Sequence, residues 1–181
     1  MSAANFITFF RILLVPFFIT ALLSYTEGYE IYRQVAFWIF FAASISDALD
    51  GLVARVMKKQ TKLGQFLDPL ADKLLLLSGY LGILFVHALP YHPPLWITVT
   101  IVFRDFFVIG AMIILYLFSG SLKIEPHFIG KCTTAAQMAT LIAILLKSNF
   151  SPLLWNVTAF LTIVSGAIYI FRDFKLLKPN L

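Results

Sequence analysis

Charge is what this chain lacks most. Asp, Glu, Lys and Arg make up only 13% of its 181 residues, while 60% are hydrophobic and the mean hydropathy is +0.89. Soluble domains carry about 25% charged residues, so a water-exposed globular domain is excluded and an integral membrane protein is expected. Acidic residues are the scarcest charge, nine against fourteen Lys and Arg. Cysteine is nearly absent: Cys132 stands alone, which excludes an intramolecular disulfide and a cysteine-based zinc site. No polar segment interleaves basic and aromatic residues, so the 16% aromatic content is not a nucleic-acid platform and nucleic acid is not a partner. Soluble domains, internal repeats and low-complexity tracts are missing as well.

What is present is a series of apolar segments. A spanning helix needs about 20 apolar residues, so one domain of this length, residues 1–181, holds at most six or seven. Short polar breaks give six expected helices, at about 5–25, 31–57, 67–87, 94–118, 128–147 and 152–173. The fold class is therefore all-α, a polytopic bundle of six transmembrane helices. The run from Ile12 to Leu23 after Arg11 imitates a signal peptide, but it has no clear small-x-small cleavage site and is read as the first span. Pro16 is expected to kink that span, and Pro69 is placed in the first turn of the third, where a missing N–H costs nothing. The segment from His87 to Pro94 holds three prolines and two histidines and reads as an extramembrane loop.

Charge asymmetry orients the bundle. Arg11, Arg55, Lys58, Lys59, Lys62, Lys123, Lys131, Arg172, Lys175 and Lys178 fall on the side of the termini, Arg33 and Lys147 on the other, and Lys73 and Arg104 inside helices. By the positive-inside rule both termini are cytoplasmic. A bacterial inner membrane is the expected location, with the basic face toward anionic lipid and metabolites.

Four of the nine acids crowd into the stretch from Asp47 to Asp72 on that face. Asp47 and Asp50 are three apart, and Asp68 and Asp72 four apart, spacings that share a helix face. Two antiparallel helices joined by a short loop would bring the pairs together, and four uncompensated carboxylates would repel. All-oxygen ligands select Mg²⁺, Mn²⁺ or Ca²⁺, and two such ions between carboxylates suit displacement at a phosphate. Gly51 and Gly64 leave room for a close approach, and Arg55 offers a forked donor to phosphate. Any single Asp could be a helix cap or a surface charge; the set could not, because intramembrane carboxylates are rare and usually functional. No Ser, Cys or His is placed as a covalent nucleophile, so direct in-line attack is expected. A small ion or proton transporter is the competing class, disfavoured because the acids cluster at one edge and not at mid-membrane.

This stretch resembles the signature of the CDP-alcohol phosphatidyltransferases, with Asp47, Asp50, Gly51, Ala54, Arg55, Gly64, Asp68 and Asp72 occupying its eight positions. Eight fixed residue types at roughly 5% each make a chance match negligible. The resemblance implies transfer of a phosphatidyl group from CDP-diacylglycerol to an alcohol with release of CMP, two bound Mg²⁺ or Mn²⁺ ions, and a homodimer. Carried over by position, Asp47, Asp50 and Asp68 would hold the first ion and Asp47, Asp68 and Asp72 the second. Asp72 would be the catalytic base, and Gly51, Ala54, Arg55 and Gly64 would form the CDP site.

Outside the signature the chain is similar to the phosphatidylglycerophosphate synthase and eukaryotic-type cardiolipin synthase branch. Asn5, Thr8 and Arg11 match its opening pattern, Arg104-Asp105 its Arg-acidic pair, and Gly130-Lys131 with Thr134 and Gln137 its Gly-Lys-x-Lys-Thr-x-x-Gln segment. Arg104, Lys131, Thr134 and Gln137 would then contact the acceptor, sn-glycerol 3-phosphate, with phosphatidylglycerol as the alternative. Arg104 has an equally weighted alternative as a structural pair with Asp105. Thr133 departs from the pattern's second lysine and removes one charge from the presumed acceptor pocket. Replacing Asp72 with Asn is expected to abolish turnover while largely preserving CDP-diacylglycerol binding; near-normal CMP release by the purified variant would remove Asp72 from the role of base.

Overall fold

In a computed structural model the described backbone covers residues 3–57, 62–119 and 128–176, with side chains described over 8–46, 70–111, 113 and 128–169. Among the described residues there are six helices and no strand: α1 (Ala3–Leu23), α2 (Glu30–Met57), α3 (Lys62–Ile83), α4 (Leu95–Ser119), α5 (Phe128–Leu145) and α6 (Ser151–Leu176). Among the described residues two stretches, Phe128–Leu145 and Ser151–Tyr169, are long and apolar enough to cross a membrane.

The six expected helices are all found, with one informative shift. α3 begins at Lys62 and ends at Ile83, about a turn earlier at each end than the hydrophobic pattern suggests. Pro69 therefore sits in the helix interior and not in its first turn, where its ring removes one i to i−4 hydrogen bond. The hydrophobic pattern missed the first turns because they carry the polar and acidic residues. α1 runs unbroken through Pro16, whose carbonyl accepts a hydrogen bond from Thr20 Oγ1 at 2.8 Å. Arg11, counted from sequence with the flanking cations, is a core residue at 2% exposure.

α3 is the hub. It packs against α1, α4 and α5, and against α2. Two glycines make this possible. A Cβ at Gly82 would lie 2.7 Å from Leu22 Cδ2 of α1, and one at Gly79 would lie 2.8 Å from Leu141 Cδ1 of α5, so both neighbours approach α3 more closely than any side chain there would allow. Around this axis Phe18, Phe40, Leu75, Leu76, Tyr80, Ile101 and Ile144 are fully or almost fully buried. The outer surface is the reverse of a soluble protein's: Phe85, Phe103, Phe128, Phe150 and Phe160 are each at least two-thirds exposed. An apolar shell this extensive needs an apolar surrounding or a partner.

The end of the bundle away from the α2–α3 connection is closed by an ionic clasp. Glu30, the first residue of α2, pairs with Arg33 Nε at 2.7 Å and accepts a short hydrogen bond from Lys147, while Arg33 Nη1 donates to the Leu145 carbonyl at the end of α5. That end is a Schellman turn, with Ser148 N to Ala143 O at 2.9 Å and Lys147 N to Ile144 O at 3.0 Å. Lys147 takes the left-handed position at φ 56°, one that favours glycine. Its ammonium in return reaches Glu30 and the Tyr25 ring. The Lys147 ammonium, then Arg33, hold the Glu30 carboxyl down at about 2, against 4.5 ordinarily.

The sign follows from the lowered value. Stabilisation by Glu30 is fully present above about pH 4.5 and is lost as pH falls through about 2. The gap in thermal midpoint between the wild type and Glu30→Gln is expected to be widest near neutrality and to close over that window; a gap independent of pH would rule out the carboxylate charge as its source.

Candidate active site

The backbone places both acidic pairs at one end of the molecule. Asp47 and Asp50 lie in the second half of α2, and Gly64, Asp68 and Asp72 lie in the first half of α3, across the connection between the two helices. Within each pair the rise along the axis is about 4.5 to 6 Å. The side chains of Asp47, Asp50, Ala54, Arg55 and Asp68, together with Gly51 and Gly64, lie outside the described residues. Asp72 is described: it is half-buried and engaged by its surroundings. His, Cys, Asp and Glu form no group of three or more suited to a metal among the described residues, a set that excludes three of the four aspartates.

One helix position beyond Asp72 the structure reveals a polar node that the sequence reading did not assemble. Lys73 Nζ lies 3.0 Å from Asp105 Oδ1, 3.2 Å from Thr134 Oγ1 and 3.5 Å from Gln137 Oε1. Arg104 Nη1 donates to the same Asp105 oxygen at 2.8 Å, its Nη2 donates to Ser165 Oγ at 2.8 Å, and its guanidinium lies 5.6 Å from the centre of the Tyr169 ring. Exposure is 7% for Lys73 and Arg104 and nil for Asp105 and Gln137. The node therefore joins α3, α4, α5 and α6 through charged groups in a low-dielectric interior, where each such bond is strong and each unpaired group expensive.

The backbone is shaped to admit it. A Cβ on Gly130 would sit 2.8 Å from Tyr169 Oη and 3.5 Å from Arg104 Nη2, so glycine there leaves space for both. Tyr80 Oη donates to the Gln137 carbonyl at 3.2 Å, holding α5 against α3.

Of the residues expected to meet the acceptor, Arg104, Thr134 and Gln137 belong to this node, whereas Lys131 is exposed and apart from it. Thr133 turns the other way: it is buried, and its hydroxyl bonds to Ile129 O at 2.8 Å and Leu161 O at 3.2 Å, against α6. Its substitution for lysine thus bears on α5–α6 packing and not on the node. Lys73, Ser165 and Tyr169 were not picked out from sequence as site residues. A lysine inside an apolar helix next to a carboxylate was the available signal for the first, and nothing in the local pattern marks the other two.

Comparison with known proteins agrees with the eight-residue signature. The family model described as CDP-alcohol phosphatidyltransferase matches residues 1–168. The CDP-diacylglycerol–glycerol-3-phosphate 3-phosphatidyltransferase of Bacillus subtilis is 33% identical over 97% of this chain and 97% of its own length. The "Probable phosphatidylglycerophosphate synthase" of Mycobacterium tuberculosis is 32% identical over 96% of this chain and 82% of its own. A "Probable cardiolipin synthase (CMP-forming)" of Drosophila melanogaster is 30% identical over 99% of this chain and 61% of its own. Helices, signature and relatives together define a transferase of phospholipid biosynthesis. The chain belongs to the CDP-alcohol phosphatidyltransferase family, and the transporter alternative falls away.

Removing Asp105 would leave Lys73 and Arg104 buried without their shared anion. Asp105→Ala is expected to lower stability by about 3 to 5 kcal/mol, the usual effect of breaking a buried ion pair from one side. Chemical unfolding in detergent micelles measures it, and a loss below about 1 kcal/mol, the level of an exposed pair, would show the node to be open to water.

Proposed function

We propose that the chain transfers a phosphatidyl group from CDP-diacylglycerol to sn-glycerol 3-phosphate, making phosphatidylglycerophosphate and releasing CMP. The observation that carries this reading is the near end-to-end similarity to the Bacillus subtilis enzyme named for that acceptor. The donor set fits divalent cations: four carboxylates are carried at adjoining ends of α2 and α3, and oxygen ligands of this kind suit Mg²⁺ or Mn²⁺. Asp47, Asp50, Asp68 and Asp72 would hold two such ions, which when bound supply charge neutralisation for the diphosphate and the leaving CMP.

The remaining work belongs to the chain's own residues. Arg55, with Gly51, Ala54 and Gly64 beside the carboxylates, takes the CDP portion. Asp72 removes the proton from the acceptor hydroxyl as its oxygen attacks phosphorus, and the bond to CMP breaks in line. Arg104, Thr134 and Gln137 meet the acceptor from α4 and α5, with Lys131 at the exposed start of α5 on its approach path.

The two apolar stretches of α5 and α6 and the apolar shell support a protein set in the membrane as a single domain of six spans. With both termini and the acidic cluster on the basic side, the site faces the cytoplasm of a bacterial inner membrane. A homodimer completes the assembly. A second reading, phosphatidylglycerol as acceptor and cardiolipin as product, is favoured by the Drosophila relative.

Purified protein in detergent with CDP-diacylglycerol and Mg²⁺ or Mn²⁺ decides between them. CMP release is expected with sn-glycerol 3-phosphate and to disappear on chelation; faster release with phosphatidylglycerol would transfer the assignment to the second reading.

A further inference from the structure

Among the described residues the node beside Asp72 is out of charge balance. Lys73 and Arg104 bring two positive charges and Asp105 one negative, and all three are at least nine-tenths buried. Three of its polar atoms, Arg104 Nε, Gln137 Nε2 and Asp105 Oδ2, are buried with no hydrogen-bond partner among the described residues. Two of these are donors. A buried positive excess with idle donors is costly to fold, and an anion that accepts from them offsets that cost.

We propose that Lys73 is the specificity-determining residue for a phosphate on the acceptor alcohol, with Asp105 as the positioning residue that holds Lys73 and Arg104 side by side. This rests on the assignment of Asp72 as the group that receives the acceptor proton. Lys73 follows Asp72 directly in α3, its Cα about 3.8 Å away and its side chain turned about 100° round the axis, and its long stem lets the ammonium meet the phosphate of a small acceptor whose hydroxyl lies at Asp72. The Lys73 ammonium is a compact charge on a flexible stem, which accepts a phosphate without requiring one fork geometry. Thr134 and Gln137 already orient it at 3.2 Å and 3.5 Å, and an incoming phosphate would take its place among these contacts beside Gln137 Nε2 and Arg104 Nε. A phosphate-bearing glycerol is the shared chemistry, whether it arrives as a free phosphomonoester or as the phosphodiester of a lipid headgroup.

The test is CMP release by the purified full chain with sn-glycerol 3-phosphate, phosphatidylglycerol or plain glycerol as acceptor. Lys73→Met is expected to raise the KM of the preferred phosphate-bearing acceptor by about tenfold or more, the scale of one charge-assisted hydrogen bond, with the KM of CDP-diacylglycerol within about twofold. The preference over glycerol should narrow by the same factor. Lys73→Arg, which keeps the charge, should recover most of the loss. An unchanged acceptor KM, a parallel rise for CDP-diacylglycerol, or an arginine variant as impaired as the methionine one would each overturn the proposal and leave Lys73 a packing residue. The wild type supplies an arm that does not depend on variant folding. Inorganic phosphate should compete with the acceptor and not with CDP-diacylglycerol, and inhibition non-competitive with the acceptor would also overturn it. Should the wild type use phosphatidylglycerol and refuse sn-glycerol 3-phosphate, the acceptor assignment fails; the role of Lys73 stands if the phosphatidylglycerol KM shows the same dependence on charge.

Discussion

The carboxylate of Asp105, shared between Lys73 and Arg104 in the interior, is the constraint on which the arrangement of α3 to α6 depends. Apolar packing is non-directional, and helices that meet through Leu, Ile and Phe can rotate or slide at small cost. Buried ions cannot. One oxygen at 2.8 Å and 3.0 Å from two cations, with Ser165 and Thr134 completing the set, sets the rotation of four helices at once. Such a node stabilises little against an apolar equivalent, since desolvation offsets most of its Coulomb attraction. What it adds is uniqueness of arrangement.

The clasp of Glu30, Arg33 and Lys147 complements it at the opposite end. There the groups are partly wet, so the tie depends on pH and is weaker than the buried one. Between the two lies the close contact of α3 with α1 and α5 over Gly82 and Gly79. α3 is thereby held along its length and at the node. It also carries Gly64, Asp68 and Asp72, so the most constrained helix of the bundle bears half of the acidic signature. A site that must place carboxylates within a fraction of an ångström benefits from a rigid support.

Family membership accounts for the chemistry common to these enzymes, and the proposal for Lys73 makes the node the place where this chain would distinguish one alcohol from another. The acidic stretch at the α2–α3 connection and the cationic node share one helix and adjacent residues, Asp72 and Lys73. On that proposal, donor handling and acceptor recognition would be coupled through a single turn of α3. Lys131, which the sequence grouped with the acceptor residues, stands outside the node on the surface, and Thr133 serves α5–α6 packing.

Much was legible in the sequence. Six helices follow from apolar segments separated by short polar breaks, and the two acidic pairs follow from local spacing, which a helix converts directly into a shared face. The start of α3 was misjudged because hydrophobic periodicity is silent where a helix carries polar, functional residues. Local pattern determined the eight signature positions, and the resemblance they carry implied the class of protein and the type of reaction. Tertiary structure decided which cation serves which carboxylate: Lys73 and Asp105 are 32 residues apart, Arg104 and Ser165 are 61 apart, and only helix packing brings them within 3.0 Å. Contacts between helices depend on rotation about each axis, which a one-dimensional pattern does not specify.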